Sequence, residues 1–108
     1  MGGEQQPELL PHLIDLYLKD LPEHLRDLRE SADRGDLSLL RATAHKLKGS
    51  SLNLGVMLFA GTCKELESKA REGDLEGARA LVGKLDQSAE LVSTSLTRAR
   101  EEAMRGNA

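Results

Sequence analysis

The residues of this chain best suited to chemistry stand together between Arg41 and Leu52. His45 is preceded by Arg41 at four residues, and is followed by Lys48 at three, Gly49 at four and Leu52 at seven. In an α-helix these offsets fall on one face, each about a turn from the next. An imidazole, with an ordinary pKa of about 6.5, is a good nucleophile near neutral pH. A lysine one turn away can neutralise an anionic group placed on the ring, such as a phosphoryl group, and Arg41 adds to that field. Gly49 lets a partner's backbone approach with no side chain in the way, and Leu52 offers apolar docking area beside it.

The element that must position these residues is a helix. Leu37, Leu40, Ala44, Leu47, Ser51 and Leu54 recur at three and four residues, the spacing of a buried stripe, with Ser51 its one polar member. His45 lies beside that stripe, which predicts that it meets solvent at the edge of the core. A glycine within a helix costs about 1 kcal/mol relative to alanine, so Gly49 in a good apolar pattern calls for a reason. The spacing also admits a plainer account, an incidental surface histidine followed by a helix end at Gly49, Ser50 and Ser51. Against that account, Leu52 and Leu54 continue the stripe, and Asn53-Leu54-Gly55 is the better terminator.

Other chemistries find less support. His12, His24 and His45 lie on separate segments, and no His or Cys pair has the close spacing of a zinc site, so no metal site is expected. No nucleophile elbow or glycine-rich phosphate loop is present. Ser50 and Ser51 follow the histidine, but helix geometry turns both away from its face and suits them to packing or to a helix end. The single cysteine, Cys63, excludes an internal disulfide, fits a reducing compartment and sits in the apolar register as a core filler.

Composition sets the class. The chain has 108 residues and a net charge of −3, with Tyr17 and Phe59 its only aromatics. Leucine and alanine dominate and β-branched residues are few, which predicts an all-α protein. Basic residues are interspersed with acidic ones, which argues against nucleic-acid binding. No apolar run is long enough to span a membrane and no signal sequence opens the chain, so a cytoplasmic location without membrane contact is expected.

Taken in order, residues 1–7 are expected to be a flexible tail and 8–104 one domain. Leu10, Ile14, Tyr17, Leu21, Leu25, Leu28 and Ala32 mark a first helical segment from about Glu8 to Asp33. Pro22 interrupts it: Asp20-Leu21-Pro22-Glu23 reads as a cap starting a new helix, whereas the unbroken apolar phase favours one helix kinked there. Arg34-Gly35-Asp36 ends that segment and caps the next, about Leu37 to Leu52. A third helix follows from about Val56 to Glu72, with Val56, Phe59, Cys63, Leu66 and Ala70 inward. Glu72-Gly73-Asp74 leads to a fourth, about Leu75 to Ala103, with Leu75, Ala78, Val82, Leu85, Ala89, Val92, Leu96 and Ala99 inward, and residues 105–108 are expected to fray. Short connections make neighbours antiparallel, so the fold class is an antiparallel up-down four-helix bundle.

A weak internal echo serves as a control. Gly35-Asp36-Leu37, Arg41-Ala42 and Lys46-Leu47 recur as Gly73-Asp74-Leu75, Arg79-Ala80 and Lys84-Leu85, and in that register His45 falls opposite Gly83. The shared turn and core constraints need no histidine at the second position.

At His45, Leu47-Lys48-Gly49-Ser50-Ser51, Asn53-Leu54-Gly55, Leu58, Cys63 and Leu66-Glu67 the sequence resembles the histidine-containing phosphotransfer (HPt) domains of bacterial multistep two-component signalling, hybrid-kinase type. The resemblance covers roughly Glu8 to Ala103. It implies a phosphorelay intermediate in which His45 accepts a phosphoryl group from a receiver-domain aspartyl phosphate and passes it to the aspartate of a response regulator. It implies as partners response-regulator receiver domains and a hybrid sensor histidine kinase, and a chain that works as a monomer without autonomous catalysis. No intrinsic cofactor is implied, since the magnesium ion belongs to the receiver. Lys48 is carried over as the phosphate-stabilising cation, and Arg41, Gly49 and Leu52 as the partner-binding surface. Many relatives hold the imidazole with a glutamine on the third helix; here that helix offers Glu67, or Lys64 a turn earlier, and no glutamine. The reading from another class is a helical adaptor, or an inactive HPt-like module that binds receivers without phosphotransfer.

Overall fold

Four helices account for almost all of residues 9–106, the part of the chain that the computed structural model describes: α1 (Leu9–Arg34), α2 (Leu37–Asn53), α3 (Met57–Glu72) and α4 (Leu75–Gly106). The expected 1–7 tail and the last two residues lie outside this range. Around the bundle α1 packs on α2 and α4, and α3 closes the ring between α2 and α4. The core is the predicted apolar stripe of each helix. Ile14, Tyr17, Leu21, Leu25, Leu28 and Ala32 of α1 meet Leu40, Ala44 and Leu47 of α2, Phe59, Cys63, Leu66 and Ala70 of α3, and Ala78, Val82, Leu85, Val92 and Leu96 of α4.

All three connections use the same chemistry. Gly35, Gly55 and Gly73 adopt positive φ of 70°, 73° and 80°, which a side chain would oppose. The amide after each glycine then reaches back to the helix it has just left: Asp36 N to the Ser31 carbonyl at 2.8 Å, Val56 N to Ser51 at 2.9 Å and Asp74 N to Lys69 at 2.9 Å. This satisfies carbonyls that a helix end would otherwise leave open. Asp36 Oδ1 accepts from Leu39 N at 3.1 Å and Asp74 Oδ1 from Gly77 N at 2.8 Å, so the Gly-Asp pairs stop one helix and start the next as the sequence predicts.

The structure decides between the two readings of Pro22 and changes one helix limit. α1 runs as one helix through Pro22, the alternative that the unbroken apolar phase favours. Proline removes an amide from the ladder, but Leu21 and Leu25 stay buried in phase on either side of it, and that packing carries the helix across the gap. α4 continues past Ala103, so Arg105 and Gly106 are helical and not frayed. Its outer turns lie against the start of α1, where Arg100 Nε donates to Asp15 Oδ1 at 2.7 Å. At the other end Arg79 Nε donates to the Ala32 carbonyl at 3.0 Å. These two ties fix α1 and α4 as antiparallel.

The length mismatch matters for the surface. At about 1.5 Å per residue, α1 and α4 are roughly 39 and 48 Å long, whereas α2 and α3 are about 25 Å. The short pair therefore covers only part of the long pair. Near the start of α1, Leu9, Leu10, Leu13 and Leu16 are exposed. Leu10, expected on the inner face, is one of them.

Where α1 and α2 do meet, the one polar residue of the α2 stripe is satisfied. Ser51 is fully buried and its Oγ lies 2.8 Å from the Tyr17 hydroxyl. Burial pushes the Tyr17 phenol up to about 12, with the Ser51 hydrogen bond opposing.

Candidate functional site

His45 emerges from α2 at the seam with α3. Leu47 and Ala44 on either side of it point into the core, which fixes the rotation of the helix and leaves the His45 side chain 66% exposed. Across the seam stands Glu67, on the turn of α3 anchored by buried Leu66 and Ala70, its side chain only 10% exposed. Its Oε2 lies 2.8 Å from His45 Nδ1 and its Oε1 lies 2.8 Å from Lys48 Nζ. One carboxylate thus ties both polar members of the α2 face to α3.

The electrostatics define the ring's state. The Lys48 hydrogen bond is the largest influence holding the Glu67 carboxyl below the usual carboxylate range, with His45 adding to it and burial opposing. At neutral pH the group is therefore ionised and can only accept hydrogen bonds. The neutral imidazole beside it must carry its proton on Nδ1, which leaves the lone pair on Nε2. That nitrogen has no hydrogen-bond partner among the described residues. The site is an oriented imidazole whose lone-pair nitrogen faces solvent.

The surroundings match the sequence reading in most respects. Arg41 and Gly49 are exposed, one turn before and after the histidine, and Leu52 is exposed beyond them. A Cβ built on Gly49 meets nothing within 4 Å, so its own fold does not require a glycine there. Ser50 turns away, its Oγ donating to the Lys46 carbonyl. Lys48 is less free than the sequence suggested: it is three-quarters buried and held by Glu67. An ammonium has three donors, however, and one bond to Glu67 leaves others for an incoming anion. Of the two α3 candidates for holding the ring, Glu67 makes the bond and Lys64 points to solvent. Cys63, one turn before Glu67, is fully buried, and burial with the Glu67 charge beside it pushes the thiol up to about 12, which makes it inert.

The structure also shows a surface that the α2 pattern does not announce. Leu13 and Leu16 of α1, with Ser50, Asn53 and Leu54 at the end of α2, line a shallow open groove beside the histidine helix. The signal was present in the sequence as leucines off the buried stripe of α1, which the helix rotation turns away from the core.

Comparison with known proteins bears on this geometry. The profile of the Hpt domain family matches residues 12–102. The chain belongs to the Hpt domain family. The crystal structure of histidine-containing phosphotransfer protein B from Pseudomonas aeruginosa PAO1 superposes with a TM-score of 0.85 at 38% identity, covering 92% of this chain and 86% of that one. The phosphorelay protein LuxU of Vibrio vulnificus is 27% identical over 79 residues, 72% of this chain and 69% of LuxU. The phosphotransferase RcsD of Escherichia coli is 28% identical over 87 residues, and the phosphorelay intermediate protein rdeA of Dictyostelium discoideum 28% over 90. These alignments take in 80% and 83% of this chain but only 10% and 35% of those relatives. The Hpt domain is a phosphorelay module, a carrier of phosphoryl groups. Among its described residues no helix is long and apolar enough to cross a membrane.

Proposed function

We propose that this Hpt domain is a phosphorelay intermediate whose His45 Nε2 takes a phosphoryl group from a receiver-domain aspartyl phosphate and gives it to the aspartate of a response regulator. The observation that carries the assignment is the Glu67 carboxylate on Nδ1, 2.8 Å away, which leaves Nε2 as the free, lone-pair nitrogen of an exposed ring. Lys48 neutralises charge on the transferred group, and Glu67 holds both residues in place. Arg41, Gly49 and Leu52 form the docking surface around the nucleophile, and the exposed Leu13 and Leu16 of α1 extend it.

The chain supplies position and no catalytic group of its own beyond this nucleophile. In the encounter the receiver brings the divalent cation and most of the charge stabilisation, while the bundle contributes a nucleophile held in one orientation. We therefore read it as a carrier without autonomous catalysis, with no cofactor of its own, acting as a monomer in the cytoplasm on receiver domains and a hybrid sensor histidine kinase.

Incubation with a phosphorylated receiver and magnesium is expected to place an acid-labile, base-stable phosphate on the wild-type chain and none on His45→Gln. Equal labelling of the two would remove His45 from the mechanism. Binding of receivers with no labelling of either would favour the inactive-adaptor reading instead.

A further inference from the structure

An apolar groove runs between α3 and α4, on the other side of α3 from His45. Its floor is the buried Phe59, Val92 and Leu96, and its rims carry Met57 and Leu58 of α3 and Leu91 of α4. It encloses about 700 Å³, and none of His45, Lys48, Gly49 and Glu67 lines it. Two of the hydroxyls that border it are turned away: Thr62 Oγ1 donates to the Leu58 carbonyl at 3.2 Å and Ser88 Oγ to the Lys84 carbonyl at 2.9 Å. Among the described residues that line the groove, Lys84 alone is charged. No described ion pair or hydrogen bond engages its ammonium, and Glu65, one turn past Thr62 on α3, is not paired with it.

The rims decide what kind of occupant fits. Leu58 is 91% exposed, Leu91 71% and Met57 63%, an apolar patch of the kind that marks a contact surface. A small ligand is held by burying roughly 70–90% of its own surface, and one lying in this hollow would leave the rim side chains standing in water. A helix needs only a stripe about 100° wide to be covered. Laid along the groove, it covers floor and rims together. From Lys84 to Leu96 the groove is bordered by about 18 Å of α4, which matches about three turns of a second helix. At the Lys84 end that helix meets the unpaired ammonium, whose complement is a carboxylate near the helix C-terminus, where the last backbone carbonyls add the same sign.

We propose that the α3–α4 groove docks an amphipathic helix of a protein partner, its apolar stripe set on Leu58 and Leu91 and its acidic end on Lys84. The groove and the histidine lie on different sides of α3, so the docked helix leaves His45 open. The domain can then be held by one partner while its imidazole meets another.

The test uses the whole chain and a synthetic peptide of about 18 residues, long enough to hold a helix. The peptide carries leucines three and four apart along one face, a glutamate on that face one turn after the last leucine, and alanine and glutamine elsewhere. Fluorescence anisotropy of the labelled peptide gives its affinity, and amide NMR shifts of the domain give its place. Binding is expected, with the largest shifts at Leu58, Thr62, Leu91 and Ser95. Leu58→Asp, an acid suited to the first turn of α3, and Leu91→Glu should each weaken it by about tenfold or more, the effect of losing one leucine contact. Lys84→Glu should weaken it about threefold, and should bind more tightly than wild type the same peptide with lysine in place of its glutamate. A loss of fold would not produce that reversal. His45 in these variants should load from phosphoramidate, a small phosphodonor, at the wild-type rate, and slower loading would mean that groove and site are not separate, against the proposal. Absence of peptide binding overturns it, as do shifts centred on Leu13 and Leu16 in the α1 groove. Binding of palmitate but not of the peptide, or a wild-type dimer that Leu58→Asp dissociates, would give the groove to a small amphiphile or to a second copy and overturn it equally. Failure of the wild type to load on His45 bears on the phosphorelay reading alone.

Discussion

Gly49 is where stability and function should separate most cleanly. It lies inside α2, exposed, and a methyl group added to its Cα meets no atom within 4 Å. Gly49→Ala should therefore stabilise the bundle by about 0.5–1 kcal/mol, through helix propensity and a less entropic unfolded chain. For a domain of this size that corresponds to a rise in Tm of roughly 3–6 °C. Gly83 of α4 provides the control: it too lies inside a helix, is exposed, and an added methyl group there also finds open space. Gly83→Ala should gain similar stability with transfer unchanged. Gly49→Gln should keep the fold and slow phosphotransfer by about 10- to 100-fold, since a displacement of about 1 Å at the reacting atoms can cost that much. Thermal melts by circular dichroism and single-turnover transfer from a phosphorylated receiver measure both effects on the same proteins. Unchanged transfer in Gly49→Gln would refute the close-approach role. A fall in Tm for Gly49→Ala would refute the claim that the glycine has no task within its own fold.

Two further outcomes concern stability. Tyr17→Phe should cost about 1–1.5 kcal/mol by leaving the buried Ser51 hydroxyl without its partner, and the Tyr17→Phe, Ser51→Ala double variant should lose less than the sum of the single ones; additive urea midpoints would mean that the 2.8 Å contact contributes nothing. Glu67, held below the usual carboxylate range by Lys48 and then His45, contributes stability that is complete above the ordinary glutamate pKa and is lost as pH falls through its lower folded value. The Tm advantage of wild type over Glu67→Gln should therefore be largest near neutrality and shrink as the pH falls below the ordinary glutamate range, and an advantage that does not vary with pH would sink that account.

Much of the architecture was legible because each helix writes its buried face at a spacing of three and four residues, and because a glycine followed by aspartate can both stop one helix and start the next. Tyr17, Leu28, Leu47, Leu66 and Leu85 were placed in the core from that pattern and are buried there. Pro22 was legible only as two alternatives. Its local chemistry reads as a new helix start while the apolar phase across it reads as one helix, and the packing of Leu21 and Leu25 against neighbouring helices goes with the second. The end of α4 was misjudged for a related reason, since its last turns are supported by α1 from across the bundle, at Asp15 and Arg100.

At the site, the sequence by itself determined that His45, Lys48, Gly49 and Leu52 share one face, because offsets of three, four and seven residues follow from helix geometry alone. It also supplied Glu67 as a candidate, without a way to choose it over Lys64. The tertiary structure made that choice by packing α3 against α2 in a register that brings Glu67 to 2.8 Å from both His45 and Lys48. Contacts between helices depend on how two buried stripes interlock, and neither stripe states that register on its own. So the shared face of His45 and its neighbours was readable from local spacing, while the proton of the ring, its orientation and the engagement of the neighbouring lysine were decided only where two helices meet.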